Sequence, residues 1–413
     1  MDNKEVATRI SDIERVIGKY DSPVLGNHFR ATLPSGKAVR LLISLQGQGR
    51  VNKAQLYSMA HSEVGLSSYE LENSYFPLFQ DWGFITIAND YIDENIKSRD
   101  AVLSRVGQWW RDLNPHNVEK LSVDLFDMAA RRPQSGDKIQ TLLDQYTSDD
   151  YKSSFSHLSN SGLVDLFTFK DIKWYYSPEI FGQDYDKAIK YLSTADEKQL
   201  TEINSLIDEV NKEQGVPIDL LIKKHGSKLL EQVPGVGLLY GYGLEIGTNH
   251  STFMFTPDLR SRFEQEGRGD KFEIIKPGVA HFQFANKLAN PATGKLNLNP
   301  AVIINRLIER GFAGDATAIG TDYELLVKKG IVKVEPTSGS RYKFVLPESR
   351  EKIADLEAIR DAFEAQQIIP NVDFSSFGLK GKLESTDSLV YRSRRAIKEK
   401  ELLAQFCQEM YHL

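Results

Sequence analysis

The chain has 413 residues, which suffices for two to four domains of about 150 residues each, and its 41% hydrophobic content is enough for a buried core. A formal net charge of −6 excludes a protein that coats nucleic acid indiscriminately, because such binding depends on an excess of Lys and Arg. The single cysteine, Cys407, excludes an internal disulfide and a cysteine-based zinc site, and no apolar run approaches the roughly 20 residues that span a bilayer.

The first predicted module covers residues 1–92. Its charged, helix-patterned start, "MDNKEVATRISDIERVIGKY", is unlike a signal peptide, so we expect a cytoplasmic protein. The stretch "GKAVRLLISLQ" predicts a helix, and "NKAQLYSMAHSEVG" predicts a second one with Asn52 as its N-cap. A third helix, "SSYELENSYFPLFQDWG", carries Tyr69, Phe76 and Phe79 on its apolar side. The alternating "FITIAND" then predicts a strand.

Two further modules follow with the same order of elements. Residues 93–183 contain a helical connector, the helices "DKIQTLLDQY" and "DDYKSSFSHLSNSG", and two strands that turn at Lys170–Asp171. Residues 184–295 contain a second helical connector, the helices "PIDLLIKKHG" and "SKLLEQV", and the hairpin "GLLYGYGLEIGTNHSTFMFTP".

The fourth module covers residues 296–348 and is followed by a helical region at 349–413. Pro300 begins the helix "NPAVIINRLIERG", where its missing N–H costs little. A short amphipathic helix ends at Gly330, and a hairpin with a polar tip follows it. The sequence therefore predicts a mainly α fold with small β-hairpins, an α+β class, in which helical connectors join several modules.

This order of elements resembles tandem winged-helix proteins of bacteria and archaea. The resemblance is strongest at residues 300–348, where "LLVKKGIVKVEP" and "SRYKFVLP" look like a recognition helix and the two strands of a wing. In DNA-binding members of that fold the recognition helix enters the major groove and the wing contacts the backbone or the minor groove. The resemblance implies that seven residues of module four contact DNA, namely Thr321, Lys328, Lys329, Ser338, Ser340, Arg341 and Lys343.

Module two also fits a DNA-binding role. Its third helix and its hairpin carry polar and basic residues that can bond phosphates or bases: Lys152, Ser154, His157, Asn160, Lys170 and Lys173. Glu70 and Glu72 on the corresponding helix of module one would repel phosphates, so that module is expected to pack on protein. In module three a Lys- and His-rich turn near His225 is more typical of a solvated surface than of a phosphate clamp.

Enzymatic alternatives rest on weaker patterns. Gly-rich "PGVGLLYGYGLEIG" lacks the Gly-Lys-Ser/Thr of a phosphate loop and predicts a twisted hairpin. Asp165 with Asp171 and Lys173 is a poor match to a nuclease metal site, and Gln283 with Asn286 is a poor match to a glycosylase site. No cofactor, metal site or catalytic residue is predicted.

The sequence thus predicts a non-catalytic protein that binds double-stranded DNA, either as a transcription regulator or as a DNA-sensing subunit of a larger complex such as one for phage defence. A protein partner or a homo-oligomer is expected with it. The alternative is a protein-only adaptor in which every winged helix is an interface, and a glycosylase or nuclease comes third.

Overall fold

The computed structural model describes residues 1–19, 23–46, 48–182, 185–246, 249–259, 272–289, 295–296 and 298–364. It is mainly helical with small antiparallel sheets, as the sequence predicts. The described residues form four sheets of three strands each, so every predicted hairpin gains a further strand. The predicted last helix, "SLVYRSRRAIKEKELLAQFCQEMYHL", lies outside the described residues.

The helices are α1 (Asn3–Ile17), α2 (Pro23–His28), α3 (Thr32–Leu45), α4 (Lys53–Val64), α5 (Ser68–Glu70), α6 (Phe76–Asp81), α7 (Arg99–Asp112), α8 (Asn117–Arg131), α9 (Gly136–Leu143), α10 (Ser148–Asn160), α11 (Pro178–Phe181), α12 (Tyr185–Thr194), α13 (Glu197–Lys212), α14 (Ile218–His225), α15 (Ser227–Gly235), α16 (Phe272–Gln283), α17 (Pro300–Arg310), α18 (Glu324–Lys328) and α19 (Arg350–Glu364). The strands are β1 (Arg50–Asn52), β2 (Ile85–Ala88), β3 (Tyr91–Glu94), β4 (Gln134–Ser135), β5 (Asp165–Phe169), β6 (Ile172–Tyr176), β7 (Val216–Pro217), β8 (Tyr240–Ile246), β9 (Asn249–Phe255), β10 (Phe312–Ala316), β11 (Lys333–Pro336) and β12 (Tyr342–Val345).

Each of the four modules repeats one topology. A first helix (α3, α8, α13 or α17) leads into a short strand, two further helical segments and a hairpin. In every sheet the last strand lies in the centre, between the short first strand and the other strand of the hairpin. Module four is the most reduced, since a 3-10 turn at Thr317–Gly320 replaces its second helix and α18 has only five residues.

Local chemistry explains where several elements begin and turn. Asn52 accepts a hydrogen bond from the backbone N–H of Ala54 and caps α4, as predicted. Thr147 caps α10 in a reciprocal pair with Asp150. The hairpin of module two reverses through Lys170 and Asp171, whose φ angles of 51° and 60° match the two left-handed residues of a tight hairpin turn.

The first helix ties distant parts of the chain together. Buried Arg9 of α1 makes a bidentate pair with Asp258, at 2.7 and 3.0 Å, and its Nε donates to Asp127 of α8 at 3.0 Å. Burial alone would lower the pKa of Arg9, but attraction to Asp258 and Asp127 outweighs it and raises that pKa. Gly107 of α7 lets α1 approach closely, because a Cβ there would collide with the backbone of Asn3.

Hydrophobic packing forms two clusters. The larger one runs through α1 and modules one to three, and includes Phe29, Phe126 and Phe181. The smaller one joins the hairpin of module three to α16, module four and α19, with Phe282 and Phe344 near its centre. The predicted apolar side of the short helix in module four is confirmed, since Tyr323 and Leu326 are buried in this second cluster.

Candidate nucleic-acid interface

Module two presents a polar surface formed by one helix and one hairpin, which we call the module-two face. It consists of the exposed residues Lys152, Ser156 and Asn160 of α10 and Thr168, Lys170 and Lys173 of the hairpin. Lys170 and Lys173 have no carboxylate within ion-pair distance among the residues that the structure describes. Lys170 places its Nζ 5.5 Å from the centre of the Phe169 ring, which orients its charge without neutralising it.

One neighbouring cation was missed by sequence reasoning. The short strand β4 pairs with β6, so Ser135 lies opposite Trp174 and the first turn of α9 begins beside Lys173. A Cβ on Gly136 would lie 3.5 Å from the carbonyl oxygen of Lys173. Lys138, exposed on α9, therefore belongs to the same end of the module. A two-residue strand is too short to be recognised from its pattern, which is why this neighbour was not predicted.

Three of the residues predicted on α10 make contacts within the helix or with the core. Lys152 pairs with Asp149 at 3.5 Å, with both side chains largely exposed, so the pair is weak. Asn160 donates to the hydroxyl of Ser156 at 3.4 Å. Ser154 is fully buried and donates to the carbonyl of Val118 at 2.8 Å, so the prediction that it contacts DNA is wrong.

His157 of α10 is held by a second histidine. Its Nε2 lies 2.8 Å from Nδ1 of His28 in α2, and its ring meets that of Phe29 edge-on. Burial and the proximity of His28 lower the pKa of His157. The neutral ring therefore links α10 to α2 and contributes no positive charge to the module-two face.

The hairpin of module four is arranged differently from its predicted role. Arg341 pairs with Asp315 at 3.0 Å and also donates to that residue's carbonyl, while Lys343 pairs with Glu335 at 3.3 Å across the hairpin. A hydrogen bond from Thr337 at 2.7 Å, together with Arg341, lowers the pKa of Asp315. The expectation that these two cations point unopposed at a polyanion is corrected, because each already faces a carboxylate of the same module.

Two of the five remaining residues predicted on module four also bond to carboxylates of the same module. Lys328 pairs with Glu324 at 2.6 Å on α18. Thr321 donates to the carboxylate of Asp322 at 2.7 Å. Lys329, Ser338 and Ser340 are exposed.

Modules one and three have less positive charge available for binding phosphate. Between Ser67 and Glu94 module one has six carboxylates and no Lys or Arg. Tyr69, predicted on the apolar side of its helix, is instead 75% exposed. In module three Lys224 and His225 both contact Glu209, at 2.8 and 2.7 Å.

The residues considered for catalysis have structural contacts. Buried Gln283 donates to the carbonyl of Gln214 at 3.1 Å, and Asn286 donates to that of Leu296 at 3.0 Å. Asp165 and Asp171 stand at opposite ends of strand β5, a separation of about 17 Å at the usual rise per residue, which is too far to share one metal ion. No three His, Cys, Asp or Glu side chains converge in the described part of the chain.

Comparison with protein-family models, with characterised proteins and with solved structures gave no match. Within the residues that the structure describes, no helix combines the length and the apolar character that crossing a membrane requires.

Proposed function

We propose that the four modules are winged helices and that the protein binds double-stranded DNA through module two, without catalysing a reaction. The repeated order of helix, strand, two helices and hairpin, with the last strand central in each sheet, supports this assignment of the modules. In module two, α10 is then the recognition helix and β5 and β6 form the wing.

The proposal rests on the two wing lysines. Lys170 lies at the hairpin turn and Lys173 pairs in register with Thr168, and both are exposed and lack a carboxylate partner among the described residues. A phosphate that approaches them displaces only water and counterions, whereas one that approaches Arg341 must first compete with Asp315. Module two is therefore the better candidate for backbone contact.

The helix of the module-two face supplies neutral donors beside these charges. Ser156 and Asn160 are exposed on α10, and their hydroxyl and amide groups can bond either phosphate oxygens or base edges in the major groove. Asp149 and Asp150 at the start of α10 oppose close approach of phosphate there, so we expect contact toward the C-terminal half of the helix. The module-two face offers few charged contacts, and the protein is acidic as a whole, so it is unsuited to coating DNA nonspecifically. These properties suit a regulator or a DNA-sensing subunit of a larger complex, such as one for phage defence.

The test is duplex binding measured across a salt series by fluorescence anisotropy. We expect the logarithm of the binding constant to fall with the logarithm of salt concentration, with a slope of about −0.9 for each phosphate neutralised. Replacing both Lys170 and Lys173 by Glu or Asp should abolish duplex binding. The same replacement of exposed Lys198 on α13 is the control and should leave binding unchanged. Binding that is absent at low salt would contradict the proposal.

Module four favours a second function, attachment to a protein partner. Arg341 and Lys343 of its hairpin are paired with carboxylates of the same module. The module also exposes Val302 on α17, Phe312 on β10 and Val327 on α18, at 38%, 52% and 40%. Aromatic and aliphatic groups among neutralised charges are typical of protein contacts. A partner that co-purifies in fixed stoichiometry and is lost on Phe312→Ser, while Thr337→Ala retains it, would support this adaptor role.

A further inference from the structure

A two-lobed cleft lies where α7 turns into α8. The lobes meet at Asn114, Pro115 and Lys120. The first has a volume of about 590 Å³, and its lining also includes Arg30, His116, Asn117 and Asp150. The second has a volume of about 400 Å³, and its lining includes Trp110, Arg111, Val123 and Tyr146. Both volumes fall in the range of small-molecule sites.

Three cations line the cleft, and none of them forms an ion pair among the described residues. Half-buried Lys120 has no carboxylate partner among the described residues and lines both lobes. Arg30 donates to the carbonyl oxygen of Asn114 at 3.4 Å, and Arg111 donates to the side chain of Asn3 and the carbonyl of Met1, both at 2.9 Å. These acceptors are neutral, so both guanidinium groups keep their full charge and further N–H donors.

Two carboxylates also line the cleft, one in each lobe, and Asp150 keeps its negative charge because its hydrogen-bond donors are neutral. Asp150 accepts hydrogen bonds from the backbone and hydroxyl of Thr147, at 3.1 and 2.8 Å, as the cap of α10. Asp124 is largely buried, and burial raises its pKa, with the Tyr146 hydroxyl 3.4 Å away. The three cations Lys120, Arg30 and Arg111 outnumber these two carboxylates, so the cleft has an excess of positive charge, which suits an anion with several acceptor oxygens.

The backbone at the junction is shaped to present these donors. Asn114 adopts a left-handed conformation, with φ of 49°, which Asn tolerates better than most residues. This turn directs its carbonyl oxygen toward Arg30, which fixes that guanidinium beside the opening of the first lobe. In the second lobe half-buried Tyr146 supplies aromatic surface that suits a flat ring, whereas Trp110 and Val123 are buried and expose little of their side chains.

We propose that this cleft binds a nucleoside phosphate, with the phosphate at Lys120 and Arg30 and the base in the second lobe against Tyr146. The site is separate from the wing lysines of module two, so it goes beyond the proposed DNA binding and does not depend on it. Free nucleotides and the terminal nucleotide of a nucleic-acid strand share this chemistry.

The experiment is calorimetric titration of the full chain with ATP as the probe, in the absence of nucleic acid. We expect saturable binding that Lys120→Met weakens about tenfold or more, because a charge-assisted contact is lost while the aliphatic stem stays. Arg30→Met should weaken it less, since Arg30 is more exposed. Lys198→Met on α13 is the matched control and should leave affinity unchanged.

Thermal unfolding of each variant shows whether it folds like the wild type. If Lys120→Met is misfolded, Arg30→Met on the exposed rim carries the test, and its affinity must still fall. No saturable binding at millimolar ATP, or equal affinity in folded Lys120→Met, would overturn the proposal. Failure of duplex binding leaves this result untouched, because the titration contains no DNA.

Competition then identifies the source of the ligand. A 5′-phosphorylated oligonucleotide that displaces ATP, when its 5′-hydroxyl counterpart does not, assigns the site to a strand end. ATP that neither oligonucleotide displaces assigns it to free nucleotides. Displacement by the 5′-hydroxyl oligonucleotide with equal strength would contradict phosphate recognition at Lys120.

Discussion

Modules two and four share one topology but distribute their charges in opposite ways. Module four has the more basic helix and hairpin, yet its Arg341 and Lys343 each face a carboxylate across a short distance. Module two has fewer cations, but Lys170 and Lys173 have no such partner in the described residues. The number of Lys and Arg residues in a motif therefore does not measure the positive charge that it can offer to DNA.

The origin of the difference is register. In module four Glu335 lies directly opposite Lys343 on the neighbouring strand, where opposite charges attract. In module two Lys173 lies opposite Thr168, and Lys170 stands at the turn with no cross-strand residue. Arg341 is neutralised separately, by Asp315 of the neighbouring strand β10, so two carboxylates that module two lacks account for the difference.

The prediction with the largest expected effect tests whether modules two and four unfold independently. Arg9→Met should lower the free energy of unfolding by about 3–5 kcal/mol, because it removes the buried guanidinium that pairs with both Asp127 and Asp258. Asp127 belongs to module two, whereas module four packs in the second cluster. Denaturant unfolding with hydrogen exchange should show protection lost first in module two. Equal loss in both modules would mean that they unfold as one.

A pair of glycines tests the packing under each hairpin. Gly320→Ala should cost about 1–3 kcal/mol, because the new Cβ would come within 2.5 Å of the Tyr342 ring. Gly136→Ala in module two should change stability by less than about 0.5 kcal/mol, since its Cβ meets only ordinary contacts. Thermal unfolding of the two variants measures this difference in stability. Similar losses of stability in both would show that the two hairpins do not differ in packing at these glycines.

Duplex binding tests the contrast in available charge. Gln substitution of both Lys170 and Lys173 should lower affinity about tenfold and reduce the salt slope by about 2, one for each phosphate contact. The same double substitution of Arg341 and Lys343 should change affinity less than about twofold, because those cations are already paired. The reverse ranking would return the DNA-binding role to module four.

Removing the carboxylates of Asp315 and Glu335 should free the cations of module four and so make its charge resemble that of module two. In Asp315→Asn combined with Glu335→Gln, Arg341 and Lys343 lose their carboxylate partners while the side chains keep their shape. We expect duplex affinity to rise a few-fold and the salt slope to steepen. Gln substitution at exposed Glu202 of α13, which removes a carboxylate outside modules two and four, is the control. No change would mean that module four is turned away from the duplex.

The smallest expected effect is on the pH dependence of stability. The hydrogen bond from Thr337, with Arg341, holds the pKa of Asp315 below its usual value, so between those two values the unfolded chain binds more protons than the folded one. The contribution of Asp315 is present in full above its usual pKa and is lost as pH falls through the lowered one. Acid unfolding of Asp315→Asn should lack this component, and an unchanged pH profile would show that the pair contributes nothing.

Local signals in the sequence predicted much of the fold. Asn52 caps its helix, Pro300 begins another, and the hairpin of module two turns at Lys170–Asp171, because each depends on residues close together in the chain. Tyr69 was misplaced because a π-helical turn at Leu71–Tyr75 shifts the phase of that helix by one residue. The error at Ser154 was avoidable, since it lies four residues before buried Leu158 and so on the same buried side.

The candidate sites depended on contacts that a linear pattern does not contain. Arg341 and its partner Asp315 are 26 residues apart, so the neutralisation became visible only in three dimensions. Arg30 and Asn114 are 84 residues apart, and no motif links them. The Glu335–Lys343 pair could have been anticipated from the register of a short hairpin, because cross-strand neighbours follow from the turn.

The bond between Arg9 and Asp258 also sets an order of events during synthesis. The two residues are 249 positions apart, so the ribosome needs on the order of 10–50 s to deliver Asp258 after Arg9 has emerged. Until then the guanidinium has Asp127 but lacks its bidentate partner, so the amino-terminal helix packs on modules one and two with this ion-pair cluster incomplete and resists proteases less well. Ribosome-bound chains that end before residue 258 should be cleaved near this helix, and chains that extend past α16 should resist.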